Sequence, residues 1–440
     1  MKRSTVRVPA RATGAACVAA LAVAGLAACG DPADGGTSAE GDGDGPVEIE
    51  VWTWAQGYDK AAEAFNAAHD DVQVTFTEIE PGSKGGYDKI RNAIKADSAP
   101  CLAQVGYETM PSFVSEGNLL DVTDIASPDA DAYAPAGWSG VTVGDRVYGA
   151  PQDQGPMVLF YNKDVFEKHD IEVPTTWDEY RAAGEKLKKA GIALTGTYED
   201  YDYTGFAWQA GAPWYSVADG QWSITNDSPE NQKVADYWQG LIDDGLVGAG
   251  IWSDEWAAGL SDGSIATIAG ASWFKGILKD SAAASAGQWA VAPLPTWEAG
   301  DEVTGNVGGS SIAVLAGCEN PEAAWEVAHF MATDTTAADA VIEAAGTLPA
   351  SVDGLTSELL TQGDDYFGGQ VVDEVIIEAS ADVAGDWQWG PGVSTLTSTF
   401  AADMKKAYAK EGDATISGAL ASSKAATADA LAQQGIDVGE

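Results

Sequence analysis

Apolar and polar positions alternate along Val47-Glu48-Ile49-Glu50-Val51, the period of a half-buried strand. Over residues 58–69 the period changes, and Tyr58, Ala62, Phe65 and Ala68 recur at helical spacing. Residues 72–76 alternate again. Tyr87, Ile90 and Ile94 mark a second helix, stopped by Pro100, and residues 102–105 a third short strand. Strand, helix, strand, helix, strand predicts a parallel α/β unit with right-handed crossovers. A second set begins near Val147. Residues 157–161 form an unbroken apolar run, as in a strand buried on both faces. Thr176 and Glu179 have capping-box spacing and open a helix that runs through Leu187. Residues 192–195 read as a strand, 231–244 as a helix, and 264–269 and 311–315 as strands. Asn320 as N-cap and Pro321 in the first turn start a helix with Ala324, Val327, Ala328 and Met331 on one face. The C-terminal stretch is Ala-rich and helical.

The N-terminus follows a different logic. Lys2, Arg3, Arg7 and Arg11 precede an apolar stretch, residues 15–28, too short to span a bilayer comfortably. It ends in Leu26-Ala27-Ala28-Cys29-Gly30, which resembles a bacterial lipobox, so residues 1–28 are expected to be a lipoprotein signal peptide and Cys29 the lipidated residue. The alternative is an ordinary cleavage site with a chance cysteine. Residues 29–46, rich in Gly, Asp and Ser, read as a flexible tether. Asp42, Asp44 and Glu48 lack the spacing of a calcium loop. Later stretches hold no run of apolar residues long enough to span, so the membrane is expected to be reached only through the lipid anchor. Of four cysteines, Cys17 lies in the signal. A disulfide between Cys101 and Cys318 is expected outside the cytoplasm, two buried free thiols being the alternative.

Composition narrows the partners. The 440 residues carry a formal net charge of −44, which repels DNA, RNA and anionic lipid. Sixteen Trp, 14 Tyr and 10 Phe exclude disorder for most of the chain. Catalytic signatures are scarce. The three histidines, His69, His169 and His329, give no local triad or metal pattern, and no metal or cofactor is expected. Gly308-Gly309-Ser310-Ser311-Ile312 lacks the fifth-position glycine of a nucleophile elbow, and no phosphate loop occurs. Asp243-Asp244 and Asp364-Asp365 read as solvated faces.

The aromatics say more. In open parallel sheets, ligands sit beyond the carboxyl ends of the strands. Trp52, Trp54 and Tyr58 follow the first strand, Glu78 and Glu80 the second, and Gly106, Tyr107 and Glu108 the third. One rim would therefore collect indoles, phenols and carboxylates. Trp208, Trp214, Trp252, Trp256, Trp273, Trp387 and Trp389 lie in loop-like contexts, whereas Trp177 and Trp325 sit on helices with core spacing. Sugars suit such a rim: indoles stack on their C–H faces, and acid and amide groups bond their hydroxyls. The same parts suit a cation–π cage for a quaternary amine.

The segment Pro151-Gln152-Asp153-Gln154-Gly155-Pro156-Met157-Val158-Leu159-Phe160-Tyr161-Asn162-Lys163-Asp164, followed by Pro174-Thr175-Thr176-Trp177-Asp178-Glu179, resembles the signature of the extracellular solute-binding proteins of ABC importers, sugar-binding type (family 1). Asn320-Pro321-Glu322-Ala323-Ala324-Trp325 and Gly346-Thr347-Leu348-Pro349-Ala350 are similar to later motifs of that family. The resemblance implies an α/β, two-lobed, periplasmic-binding-protein-like fold of type II, with the ligand cleft between lobes joined by hinge strands. The first crossing would fall near residues 149–156. Residues 47–150 and 310–365 would form the N-terminal lobe, and 151–309 and 366–440 the C-terminal lobe. By analogy, Asp153 and Tyr161 lie near the hinge, and Asn306-Val307-Gly308-Gly309-Ser310 lines the cleft.

The expected function is capture of an extracellular oligosaccharide and its delivery, unaltered, to ABC permease subunits by a monomer on the outer face of the cytoplasmic membrane. Stacking is assigned to Trp52, Trp54, Trp208, Trp273, Trp387 and Trp389, and hydrogen bonding to Tyr107, Glu108, Asp153 and Ser310. A secreted carbohydrate-active hydrolase using an acid pair and a binding protein for a cationic amine are the alternatives.

Overall fold

The alternation that starts at Val47 runs two residues past Val51 and gives β1 (Val47–Thr53). β1 pairs in parallel with β2 (Val72–Glu78), Val47 opposite Val72 and Thr53 opposite Glu78, and on its other edge with β3 (Leu102–Gly106). The intervening helices, Tyr58–Ala68 and Gly86–Lys95, bury Ala61, Ala62 and Phe65, and Ile90 and Ala93. The chain goes on to form β4 (Gly149–Gln154), β5 (Met157–Asn162), β6 (Thr195–Thr197), β7 (Val247–Gly250), β8 (Thr267–Ala271), β9 (Trp289–Pro293), β10 (Ser310–Val314) and β11 (Leu348–Pro349). This computed structural model describes residues 45–218, 221–385, 387–436 and 438–439. The signal peptide, Cys29 and the tether up to residue 44 lie outside the described residues.

Two sheets organise the fold. The first has six strands in the order β11-β4-β10-β3-β1-β2. β10 lies antiparallel between β3 and β4, Ser310 opposite Gly106 on one side and Asp153 on the other. In the second sheet β5 is central and antiparallel to both β8 and β9. β6 and β7 pair in parallel, and a bridge from Ala193 to Ile265 sets them beside the entry to β8. Each sheet has its own core. Phe65, Met110, Phe113, Ile312 and Met331 belong to the first; Phe160, Trp214, Trp238, Trp289 and Phe400 belong to the second. Trp325, read as structural, is in the first core, and Trp177 is in the second.

The chain passes between the lobes more than once. Gly155 and Pro156 join β4 to β5. Residues 305–309 return to β10, and the two passages are bonded together: Gly155 N donates to Asn306 Oδ1, and Val307 N to Gly155 O. A third passage follows β11, whose Pro349 carbonyl accepts from Gln154 Nε2. Leu355, Leu359 and Leu360, expected in the first lobe, pack against the second core, because the chain has already left the first sheet at Pro349. The C-terminal helices Val393–Tyr408 and Ile416–Gln433 also contribute to the second core. A disulfide joins Cys101 at the entry to β3 with Cys318 just past β10.

Two local expectations change. Thr176 Oγ1 accepts from Glu179 N and caps the helix Trp177–Lys189, but the Glu179 carboxylate reaches back to Thr175 N and Oγ1 rather than to Thr176. Asn320 precedes the helix Pro321–Thr333 without a side-chain cap bond, although Pro321 does open the helix.

Candidate functional site

The topology brings the C-terminal ends of β1, β3 and β4 and the start of β10 to one edge of the first sheet. A polar chain knits that edge together. Gln104, buried within β3, accepts from Trp54 N and Ala55 N at 3.0 and 3.1 Å, and its Nε2 donates to Ser310 Oγ at 2.9 Å. Ser310 in turn donates to Asp153 Oδ1 from N at 2.6 Å and from Oγ at 2.7 Å. Tyr107 OH donates to the Asp153 carbonyl at 3.0 Å. Burial pushes the Asp153 carboxyl up to about 6, against the pull of the Ser310 donors. Gly309, with φ +93°, makes this closeness possible: a Cβ there would lie 2.4 Å from the Tyr107 ring.

Glu108 bridges the two lobes. Tyr87 OH donates to its Oε1 at 2.6 Å from the first lobe, and Tyr201 OH to its Oε2 at 3.3 Å from the helix Asp200–Gln209 of the second. Burial pushes the Glu108 carboxyl up, and the phenol bonds partly offset the shift. Trp54 meets the Tyr87 ring edge-on at 5.7 Å. From the second lobe, Trp273 follows β8 and donates through Nε1 to Val307 O at 2.9 Å. A Cβ on Gly308 would stand 3.0 Å from that indole nitrogen and 3.6 Å from Tyr201 OH. Trp54, Tyr87, Glu108, Tyr201, Gly308 and Trp273 therefore form a continuous lining drawn from both lobes, with Asp153 and Ser310 behind it.

A second aromatic group stands apart. Trp208 stacks on Trp387 at 5.0 Å with planes 8° apart, and its Nε1 donates to Ala384 O at 2.6 Å. Trp389 meets Trp387 edge-on at 5.3 Å. Trp387 packs against the second core and Trp389 against the first, so this short turn reaches from one lobe to the other.

Of the residues expected at the site, Trp54, Tyr107, Glu108, Asp153, Ser310 and Trp273 converge, and Trp208, Trp387 and Trp389 form the neighbouring group. Trp52 does not join either. It shares a face with Glu50, donating to Glu50 Oε1 at 2.7 Å, and the Lys89 ammonium lies 4.4 Å from its ring centre. One pleat short of the strand end, it lies under Lys89 of the helix Gly86–Lys95, whereas Trp54, past the strand end, meets Tyr87 at the start of that helix. Tyr161 is likewise removed from the hinge, because β5 runs away from the crossing; it packs on Phe166 at 5.2 Å. Sequence reading missed Gln104, Tyr87 and Tyr201. Gln104 had a signal: it is a lone amide inside an apolar strand. Tyr87 looked like a helix core residue, and Tyr201 is hidden in the acidic run Glu199-Asp200-Tyr201-Asp202. Among the described residues, no three His, Cys, Asp or Glu side chains group as metal ligands.

Two α/β lobes with several chain passages between them, and aromatic and carboxylate groups gathered where their edges face, define a two-lobed ligand-binding protein. Residues 52–338 match the family described as bacterial extracellular solute-binding protein, and the chain belongs to that family. It is 25% identical over 331 residues to an arabinooligosaccharide-binding protein of Halalkalibacterium halodurans, covering 71% of this chain and 74% of the relative. Among solved structures, it resembles the ABC transporter associated binding protein of B. animalis subsp. lactis in complex with β-1,6-galactobiose, with a TM-score of 0.77 and 31% identity, covering 90% of this chain and 100% of that one. The galacto-N-biose-/lacto-N-biose I-binding protein of Bifidobacterium longum, in complex with lacto-N-biose, gives a TM-score of 0.81 and 28% identity, covering 90% of this chain and 99% of that one.

Proposed function

We propose that the protein is the extracellular carbohydrate receptor of an ABC importer, held to the membrane through Cys29 and delivering an oligosaccharide to its permease. The observation that carries this reading is the mixed lining of the cleft. Flat rings of Trp54 and Trp273 stand beside the Glu108 carboxylate and the Tyr87 and Tyr201 hydroxyls, on elements of both lobes. Apolar faces next to oriented acceptors and donors match a neutral ring bearing equatorial hydroxyls. Relatives that bind arabinooligosaccharides, β-1,6-galactobiose and lacto-N-biose support the ligand class. Closure of the lobes on the ligand would be a hinge motion at Gly155–Pro156 and residues 305–309.

Titration calorimetry with β-1,6-galactobiose, lacto-N-biose and an arabinooligosaccharide tests the reading, with glycine betaine as the competing class. Binding of at least one sugar, a raised melting temperature and recovery of the sugar intact are expected. Binding of betaine alone, or release of a shorter sugar, would overturn it. Anchoring is tested separately by the mass of the mature N-terminus, which should begin at a lipid-modified Cys29.

A further inference from the structure

Gly250-Ile251-Trp252-Ser253 forms a turn closed by Ser253 N donating to Gly250 O at 3.2 Å. Trp252 holds its third position with φ +69°, while Ile251 keeps a negative φ. That combination is a type II turn, in which the third position favours glycine or asparagine. Among the described residues, four non-glycine positions have positive φ: Asp97, Asp170, Trp252 and Lys410. Only Trp252 is aromatic, and a bulky residue there is a backbone outlier. The residue is also 47% exposed, the one aromatic among the exposed large hydrophobics of the described residues. The turn requires neither feature. Its closure is made by backbone, and the following helix Asp254–Asp262 is capped by Ser253 Oγ, which accepts from Trp256 N at 3.1 Å.

The ring's position supplies a reason. The Trp252 indole is 6.2 Å from Trp273 with planes 13° apart, and 5.5 Å from Phe274 with planes 17° apart; Trp273 lies 4.4 Å from Phe274 at 21°. These separations are too short for a column of three rings, so the rings overlap like shingles, with Phe274 fully buried at the base. Trp273 is tied to Val307 at the hinge. Trp252 therefore continues the same nearly flat surface outward, by a step comparable to the spacing of neighbouring rings in a glycan. Strain retained at an exposed ring stacked beside Trp273 is grounds for a functional assignment.

We infer that Trp252 is a stacking platform for a second sugar ring, beyond the one at Trp273, and sets a preference for longer chains. The inference rests on the carbohydrate reading above. Calorimetry compares β-1,6-galactobiose with its tetrasaccharide homologue, and arabinobiose with arabinotetraose, for the wild type, Trp252→Gly and Trp252→Phe. Glycine relieves the positive φ, so the thermal midpoint of Trp252→Gly should hold or rise while the ring is lost. The expected result is about a tenfold loss of tetrasaccharide affinity, disaccharide affinity within about twofold, and substantial recovery with phenylalanine. Equal losses at both chain lengths, no loss at either, or a fallen midpoint with both ligands weakened together would overturn the inference and leave the carbohydrate reading intact. Failure of the wild type to bind any of the four sugars would overturn the inference, and failure to bind lacto-N-biose as well would overturn the carbohydrate reading with it.

Discussion

Replacing Asp153 with asparagine isolates the electrostatics of the hinge. The carboxylate takes two hydrogen bonds from Ser310 on one oxygen, yet burial outweighs them and the group titrates at about 6 instead of the usual 3.8. A shift of about two units is about 3 kcal/mol of penalty on the charged form. The folded state holds this proton more tightly than the unfolded state does. Below about pH 4 both states are protonated and the penalty is absent; it grows between about pH 4 and pH 6 and is complete above that window. An asparagine oxygen can accept the same two bonds without a charge to desolvate. Asp153→Asn is therefore expected to gain up to about 3 kcal/mol over the wild type at pH 7.5 and little at pH 4. Urea unfolding at the two pH values measures the difference. Glu108, Asp200 and Asp202, whose carboxyls burial also raises, remain in the variant, so a smaller fall in stability with rising pH survives. A variant no more stable at pH 7.5, or destabilised equally at both pH values, would refute the reasoning.

Three further changes follow from the geometry. Cys101→Ser with Cys318→Ser opens a cross-link spanning 217 residues, for which loop-closure entropy gives about 5 kcal/mol; the urea midpoint should fall, and adding reductant to the wild type should reproduce the drop. Gly309→Ala drives a Cβ to 2.4 Å from the Tyr107 ring at φ +93°, and scanning calorimetry should register a loss of about 1–3 kcal/mol, more than for Gly117→Ala, where φ is also positive but the space is open. Lys275→Met leaves the Asp373 carboxylate without its partner in a site where the two side chains are 8% and 12% exposed; about 3–5 kcal/mol should be lost, and a second change, Asp373→Leu, should restore most of it.

The helices and strands that bury one face each were legible from periodicity, because burial on one side writes a repeating signature. β1, β2, β3 and β5 lie close to where the pattern put them. β4 was not legible as a strand. Gly149-Ala150-Pro151-Gln152-Asp153-Gln154 shows no alternation because it is packed from both sides, and its amides are satisfied internally: Gln152 donates to Ala150 and Ala328 carbonyls, and Gln154 to Pro349. At the site, rim residues that directly follow strands were found, since strand ends are predictable. Tyr87 and Tyr201 were not, because each reaches Glu108 from a helix whose orientation depends on tertiary packing. The separation of Trp52 from Trp54 likewise depends on where each ring meets the helix Gly86–Lys95, Lys89 for one and Tyr87 for the other, a fact no two-residue spacing contains.

The placement of β10 has a consequence for biogenesis. A ribosome emits β3 long before its neighbour: Ser311 and Val105, bonded in the finished sheet, are 206 residues apart. Until then β4 has no strand to pair with, and β3 offers a bare edge. The first sheet therefore cannot gain the strand that joins its parallel half to β4 until residues 310–314 have been made.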